Sequence, residues 1–200
     1  MENCNLSGTK TAENLAKAIS SEAQARNRYT FFAETAEEEH LPTLQKIFLT
    51  TADEERGHGE IFYKYLSEGL GKTILYPEFL VPVGLSKTEN NLAFSAEIEH
   101  LEWSELYPEF GRMAEQEGFS EIAESFFKIA TIEKRHDERF RYFEQRLKTG
   151  SLFSLPREVT WVCINCGLHL KGKSAPKICP ACHHPQYYYM TNFDGIYPVN

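Results

Sequence analysis

The chain has no basic surplus. Its 21 Lys and Arg are outnumbered by 29 Asp and Glu across 200 residues, a formal net charge of −8. No basic stripe offsets that balance, which excludes a nucleic-acid binder. No apolar run approaches the ~20 residues that cross a bilayer, which excludes a helical membrane protein. The first residues, Met1 to Lys10, are polar and carry no apolar segment of a secretory signal. A cytoplasmic protein is therefore expected. No Gly-x-Gly-x-x-Gly stretch is present, so the chain has no dinucleotide fingerprint of its own. With 42% hydrophobic and 25% charged residues, it has the composition of a folded globular protein, one domain or a domain with a small appendage.

Gly and Pro are sparse over residues 11–149, which are rich in Glu, Ala, Leu, Lys, Arg and Phe. That is helical material. Residues 150–200 are loop-rich and hold four of the five Cys. The division falls near Gly150, a plausible residue to terminate a helix. It gives a bundle over 1–149 and a small metal-stapled domain over 150–200. Apolar residues recur every three or four positions in four stretches, the mark of one buried helical face each. Helix one, about 11–39, carries Leu15, Ile19, Glu22, Tyr29, Phe32 and Ala36. Helix two begins at Pro42 and carries Leu44, Phe48, Thr51, Glu55, His58, Phe62 and Tyr65. Helix three, about 87–117, carries Leu92, Ser95, Glu99, Glu102, Leu106, Phe110 and Met113. Helix four, about 119–148, carries Ile122, Phe126, Ile129, Glu133, His136, Phe140, Phe143 and Leu147. The connections run short, long, short, the long one being Ser67 to Ser86. A mainly α, ferritin-like four-helix bundle with one long crossover is expected.

Each stripe is apolar at its ends and acidic or imidazole-bearing in the middle. Residues three apart share a helix face, so Glu55-x-x-His58, Glu99-x-x-Glu102 and Glu133-x-x-His136 can each aim two groups at one point, joined by Glu22. Glu54 adjoins Glu55, but only Glu55 stands three before His58. On helix three, Glu97 and Glu105 fall off the line through Ser95, Glu99, Glu102 and Leu106. The pair 102 and 105 is the alternative. Five carboxylates in one core are untenable unless cations or protons compensate them, since each buried charge costs several kcal/mol. Two Glu-x-x-His pairs plus Glu from the other helices form the di-iron or di-manganese carboxylate pattern. Gly57 and Gly59 flank His58 inside a helix, where glycine costs ~1 kcal/mol relative to Ala. Close helix packing explains them, or a softness that lets His58 move.

Cys163-x-x-Cys166 and Cys179-x-x-Cys182 form two knuckles that suit a tetrahedral Cys4 metal. The spacing alone leaves zinc and iron open. His183 and His184 are surplus to that ligand set, and Cys4 is a bystander thiol.

The segment Glu22-Ala-Gln-Ala-Arg-Asn-Arg-Tyr29, the pair Glu55 and His58, the stretch Glu99 to Pro108, the pair Glu133 and His136, and the C-terminal knuckles together resemble the rubrerythrins. The resemblance spans about Thr11 to Pro185. It implies a di-iron site, oxide-bridged when oxidised, with Glu55 and Glu133 bridging. Glu22 would hold one iron with His58 or Glu102, which exchange on oxidation, and Glu99 and His136 would hold the other. Tyr29 and Tyr107 would hydrogen-bond the ligands. The C-terminal domain would be rubredoxin-like, with one iron on Cys163, Cys166, Cys179 and Cys182. The activity implied is reduction of hydrogen peroxide to water in oxidative-stress defence. Electrons would come from an external donor, a rubredoxin or an NAD(P)H-dependent reductase. A homodimer or higher oligomer, paired head to tail, is implied. The rival readings are a ferroxidase or iron-storage protein and a zinc-stabilised scaffold without catalysis.

Overall fold

The computed structural model describes residues 5–70 and 81–191. Cys4, the middle of the long crossover and the tail from Ile196 to Asn200 lie outside the described residues. Helix α1 spans Lys10–Glu38 and α2 spans Pro42–Leu70. Residues 81–87, without regular secondary structure, lead into α3, Thr88–Leu101. A π-helical turn, Glu102–Leu106, joins α3 to α4, Tyr107–Gln116, and α5 covers Ser120–Lys148. The fold is a ferritin-like bundle, mostly helical, with α1 packed on α2 and the α3–α4 rod packed on α5.

The short turns have identifiable stops. Gly118 and Gly150 adopt positive φ, 85° and 65°. After each, an N–H reaches back five residues, from Phe119 to the Ala114 carbonyl at 2.8 Å and from Ser151 to that of Arg146 at 2.9 Å. This is a left-handed C-terminal cap, and glycine fills it without a Cβ penalty.

Three of the four expected stripes are buried as read, with Ile19, Tyr65 and Leu147 only partly covered. The third needs correction. Leu92, Ser95, Glu99 and Glu102 are buried, but beyond them the core positions are Tyr107, Gly111 and Ala114 instead of Leu106, Phe110 and Met113. The π-turn supplies the reason: its wider loop of backbone absorbs one extra residue and advances the stripe by one.

Two apolar layers enclose the acidic middle. One contains Tyr29, Phe32, Leu44, Phe48, Leu92, Phe140 and Phe143. The other contains Leu15, Phe62, Tyr107, Phe126 and Ile129. The bundle therefore has a polar layer sealed above and below by stacked aromatics, such as Phe62 and Phe126 with ring centroids 4.8 Å apart.

The small domain is a three-stranded antiparallel sheet in the order β2-β1-β3, with β1 Ser154–Cys163, β2 His169–Ser174 and β3 Tyr189–Thr191. It docks on its own bundle beside the α1–α2 turn. The Thr43 hydroxyl lies 2.8 Å from the Tyr187 carbonyl and 3.2 Å from that of Tyr189. Leu152 and Met190 join the first apolar layer. Buried Arg146 donates to the carbonyls of Ser151 and Leu152, both at 2.7 Å, and so ties down the linker.

The two helical glycines differ. A Cβ on Gly59 would sit 3.3 Å from the Glu22 Cβ, whereas one on Gly57 would meet nothing within 4 Å. Close packing thus accounts for Gly59 alone. Gly57→Ala is expected to raise stability by about 0.5–1 kcal/mol, the helix-propensity gain. Gly59→Ala is expected to gain less than that. Chemical denaturation of the two variants checks the difference.

Candidate metal centre

Glu22 comes from α1, Glu55 and His58 from α2, Glu99 from α3, Glu102 from the first π-turn residue, and Glu133 and His136 from α5. All seven lie in the polar layer and none is more than 6% exposed. Glu97 and Glu105, the competing acids of the third helix, are exposed.

The seven form two overlapping groups. One set of ligand atoms, from Glu22, Glu55, His58 and Glu133, lies within 4.8 Å of one another. So does a second set, from Glu55, Glu99, Glu133 and His136. Glu55 and Glu133 belong to both. His58 Nδ1 is 3.0 Å from one Glu55 oxygen and 2.9 Å from one Glu133 oxygen. His136 Nδ1 faces the other oxygens of the same two residues, at 3.1 and 2.8 Å. Glu102 is in neither group, and its carboxylate accepts from the Ser21 hydroxyl.

The chemistry of this donor set fits cations. Glu55 Oε1, Glu99 Oε2, both Glu133 oxygens and His136 Nδ1 are buried without a hydrogen-bond partner. Such orphans are rare in a native core and mark an ion or a strained site. Here they lie close together without forming hydrogen bonds to one another, as donors shared by a cation would.

The electrostatics agree. Burial, with the charges of Glu133, Glu55 and Glu102, pushes the Glu22 carboxyl well above the usual range. Burial and the charges of Glu99 and Glu133 do the same to Glu102. Glu99 is raised to about 7 by burial and the Glu55 charge. Burial opposes charge on His58, but the adjacent Glu133 and Glu55 carboxylates outweigh it and raise the imidazole to about 10. Burial also opposes ionisation of Glu55, yet His136 and His58 hold its carboxyl well below the ordinary value. The acids can share one core only by holding protons or by holding metal cations, which displace those protons.

Further side chains fix the ligands in place. Tyr107 donates to Glu22 Oε1 at 2.5 Å, and the Tyr29 hydroxyl donates to Glu99. Glu54 was passed over in the sequence, yet it reaches from α2 to α5. Its Oε2 lies 3.0 Å from His136 Nε2 and accepts from Arg139 Nη1 at 2.7 Å. Burial opposes its charge, but His136 and Arg139 lower its pKa to about 2. A carboxylate behind a ligand imidazole sets the ring's orientation and tautomer. The expected Glu54 neighbour of a ligand is thus a neighbour in function too. Only the rotation of α2 against α5 reveals it, and one helix's periodicity carries no such signal. Ser21 was missed for the same reason.

In the small domain the four sulfurs lie within 4.8 Å of one another, with Cys163–Cys182 and Cys166–Cys179 both at 3.7 Å. A tetrahedron with metal–sulfur bonds of ~2.3 Å has edges of roughly 3.8 Å, far longer than a disulfide of ~2 Å. The two knuckles are built alike. Gly167 N–H donates to the Cys163 carbonyl at 2.8 Å, and His183 N–H to that of Cys179 at 2.9 Å. Both donors have positive φ, 75° and 60°. His183 therefore serves the backbone turn, with its side chain exposed, while the His184 ring packs on Tyr188 at 4.5 Å.

The family profile described as Rubrerythrin matches residues 13–144, and that described as Rubrerythrin, rubredoxin-like domain, matches residues 161–190. The chain belongs to the rubrerythrin family. It is 45% identical to Rubrerythrin-1 of Clostridium acetobutylicum over 185 residues, covering 92% of this chain and 95% of that one. It is 38% identical to the rubrerythrin of Nitratidesulfovibrio vulgaris, with the same coverage of each. Among solved structures, partially reduced nigerythrin is similar, with a TM-score of 0.62 at 28% identity over 96% of this chain and 94% of that one. Rubrerythrin membership implies iron, and the family, whose members are oxidoreductases, combines a di-iron domain with a rubredoxin-like domain. Among the described residues no helix is long and apolar enough to cross a membrane.

Proposed function

We propose that this rubrerythrin reduces hydrogen peroxide to water with electrons delivered by a separate donor, a rubredoxin or an NAD(P)H-dependent reductase. The observation that carries the reading is the pair of four-ligand groups sharing Glu55 and Glu133, with their converging orphan atoms. Glu22 and His58 would hold one iron, Glu99 and His136 the other, and Glu55 and Glu133 would bridge them. Iron held there would supply the two electrons that, with two protons, turn one hydrogen peroxide into two waters.

The protein's own groups do the rest. Tyr107 and Tyr29 steady Glu22 and Glu99, and the Glu54–Arg139 pair steadies His136. The aromatic layers keep bulk water from the polar layer. Glu102, held by Ser21 at the start of the π-turn, would be the seventh ligand and would exchange with His58. A carboxylate suits the harder ferric ion and imidazole the ferrous one. Irregular π-turns let one side chain shift without unwinding the helix.

Cys163, Cys166, Cys179 and Cys182 would hold a further iron that exchanges single electrons with the donor. The small domain docks on its own bundle at Thr43, twelve residues before Glu55, or roughly 18 Å along α2. The layer of Leu44, Phe48, Phe140 and Phe143 lies between. That placement favours delivery of electrons from the Cys4 centre of one chain to the bundle of another in a head-to-tail homodimer.

Steady-state assays with a reductant separate the readings. Peroxide consumption without mineral supports the peroxidase. Dioxygen-dependent oxidation that accumulates ferric mineral supports an iron-storage protein. A colourless protein with zinc in both sites supports a scaffold.

A further inference from the structure

Asp137 is a buried acid that belongs to neither ligand group. It lies on α5, one residue past His136. Its Oδ2 accepts from Trp103 Nε1 at 2.9 Å and lies 3.0 Å from His100 Nδ1. Its Oδ1 accepts from Arg141 Nε at 2.5 Å. Arg141 belongs to the same helix, so that bond steadies the carboxylate itself. The other two contacts cross between helices. They flank the junction of α3 with the π-turn, since His100 ends α3 and Trp103 is the second π-turn residue. The indole is held further by His100, edge-on at 5.0 Å, and by the Lys134 ammonium, 5.4 Å from its ring centre.

The trio shadows the ligands residue by residue. Glu99 is followed by His100, Glu102 by Trp103 and His136 by Asp137. Helix neighbours are turned about 100° from each other, so the trio meets beside the ligand layer while sharing its backbone. Such a tie matters most at the π-turn. There the Tyr107 N–H returns to the Glu102 carbonyl, a five-residue step that occurs as a rare single turn within α-helices. On the inner side the Ser21 hydroxyl holds the Glu102 carboxylate. That bond must break if the carboxylate moves to a metal, whereas the bond from Trp103 to Asp137 need not.

We propose that Asp137 is a positioning residue for Glu102: through Trp103 it holds the π-turn on α5, so that the Glu102 side chain can leave Ser21 and reach the metal from a fixed backbone. The inference rests on the reading in which Glu102 exchanges with His58. A carboxylate suits ferric iron better than ferrous, so a poorly placed Glu102 weakens the ferric state. Partners behind metal ligands are typically worth 10–100-fold in affinity or activity. Loosening this one should weaken the ferric preference about tenfold, a rise of roughly 59 mV per electron in the bundle's reduction potential.

The experiment uses Trp103→Phe, which keeps a ring and removes only the N–H that Asp137 accepts, with Asp137→Ala, Glu102→Gln and the double variant Trp103→Phe/Glu102→Gln. Each is loaded with iron and checked for metal content, and the potentials of both centres are then measured. Trp103→Phe and Asp137→Ala are expected to raise the bundle potential, and Glu102→Gln to raise it at least as far. The double variant should go no further than Glu102→Gln alone, and the Cys4 potential should stay at the wild-type value throughout. Trp103 is only partly buried, so Trp103→Phe decides the matter if Asp137→Ala loads less iron. An unchanged potential in Trp103→Phe beside a raised one in Glu102→Gln overturns the positioning role and keeps the exchange. A Trp103→Phe shift that persists in full in the double variant also overturns it, because Asp137 would then act without Glu102. An unchanged potential in Glu102→Gln removes the exchange, and the positioning role with it.

Discussion

Glu133→Ala should empty the bundle of its metal while leaving the Cys4 centre filled. Both Glu133 oxygens are buried and unpaired, and each ligand group includes the residue. Removing it takes a ligand from both ions at once. Loss of a supporting partner behind a ligand typically costs 10–100-fold in metal affinity or activity, so loss of a shared ligand should cost on the order of a thousandfold or more in peroxide turnover. The helix itself should survive, since Ala is the best helix former. The same variant carries a stability signature. Metal that binds only the folded chain stabilises it by about 4 kcal/mol at a thousandfold excess over Kd. Chelation should therefore lower the Tm of the wild-type bundle and leave that of Glu133→Ala unchanged. Metal analysis, the thiolate absorbance and a melt with and without chelator check all three. A variant that keeps two bundle ions would contradict the shared role of Glu133.

Co-expression should recover activity from two inactive chains. Cys163→Ser breaks the electron relay, and Glu133→Ala breaks the bundle site. Each alone is expected to show little donor-driven peroxide reduction. If electrons cross between chains, a mixed dimer holds one working pairing, the intact cysteines of one chain with the intact bundle of the other. Random pairing makes about half the dimers mixed with one of two sites working, so about a quarter of the wild-type rate should return. Transfer within a chain predicts no recovery, because neither chain has both centres. The docking at Thr43 and the apolar layer beneath it are the physical grounds for expecting recovery.

What the residues disclosed depended on whether a feature is local. The Cys knuckles are local, and so were legible: two Cys-x-x-Cys pairs meet in one tetrahedral cluster. The stripes of α1, α2 and α5 were legible because three-and-four spacing is a property of one helix. Glu99 and Glu102 were placed by the same count, which holds up to the π-turn and fails after it. Nothing in Glu102-Trp-Ser-Glu-Leu106 marks a π-turn in propensity or capping, so Tyr107, Gly111 and Ala114 displaced the expected Leu106, Phe110 and Met113. Contacts between helices were not legible. Glu54 meets His136, and Ser21 meets Glu102, through rotations that no single helix encodes. Gly57 and Gly59 looked alike in sequence and separated only when Glu22 was found against one of them.

The most direct test is an anaerobic titration of the fully reduced, iron-loaded protein with hydrogen peroxide, followed by metal analysis and the visible spectrum. Three ferrous ions per chain hold three electrons and each peroxide takes two, so about 1.5 equivalents should complete the oxidation. The bundle should oxidise first, and the red ferric-thiolate band of the Cys4 centre should grow as its electron is drawn off. A reduced protein that peroxide leaves unoxidised, or a colourless one with zinc on the cysteines, would contradict the account.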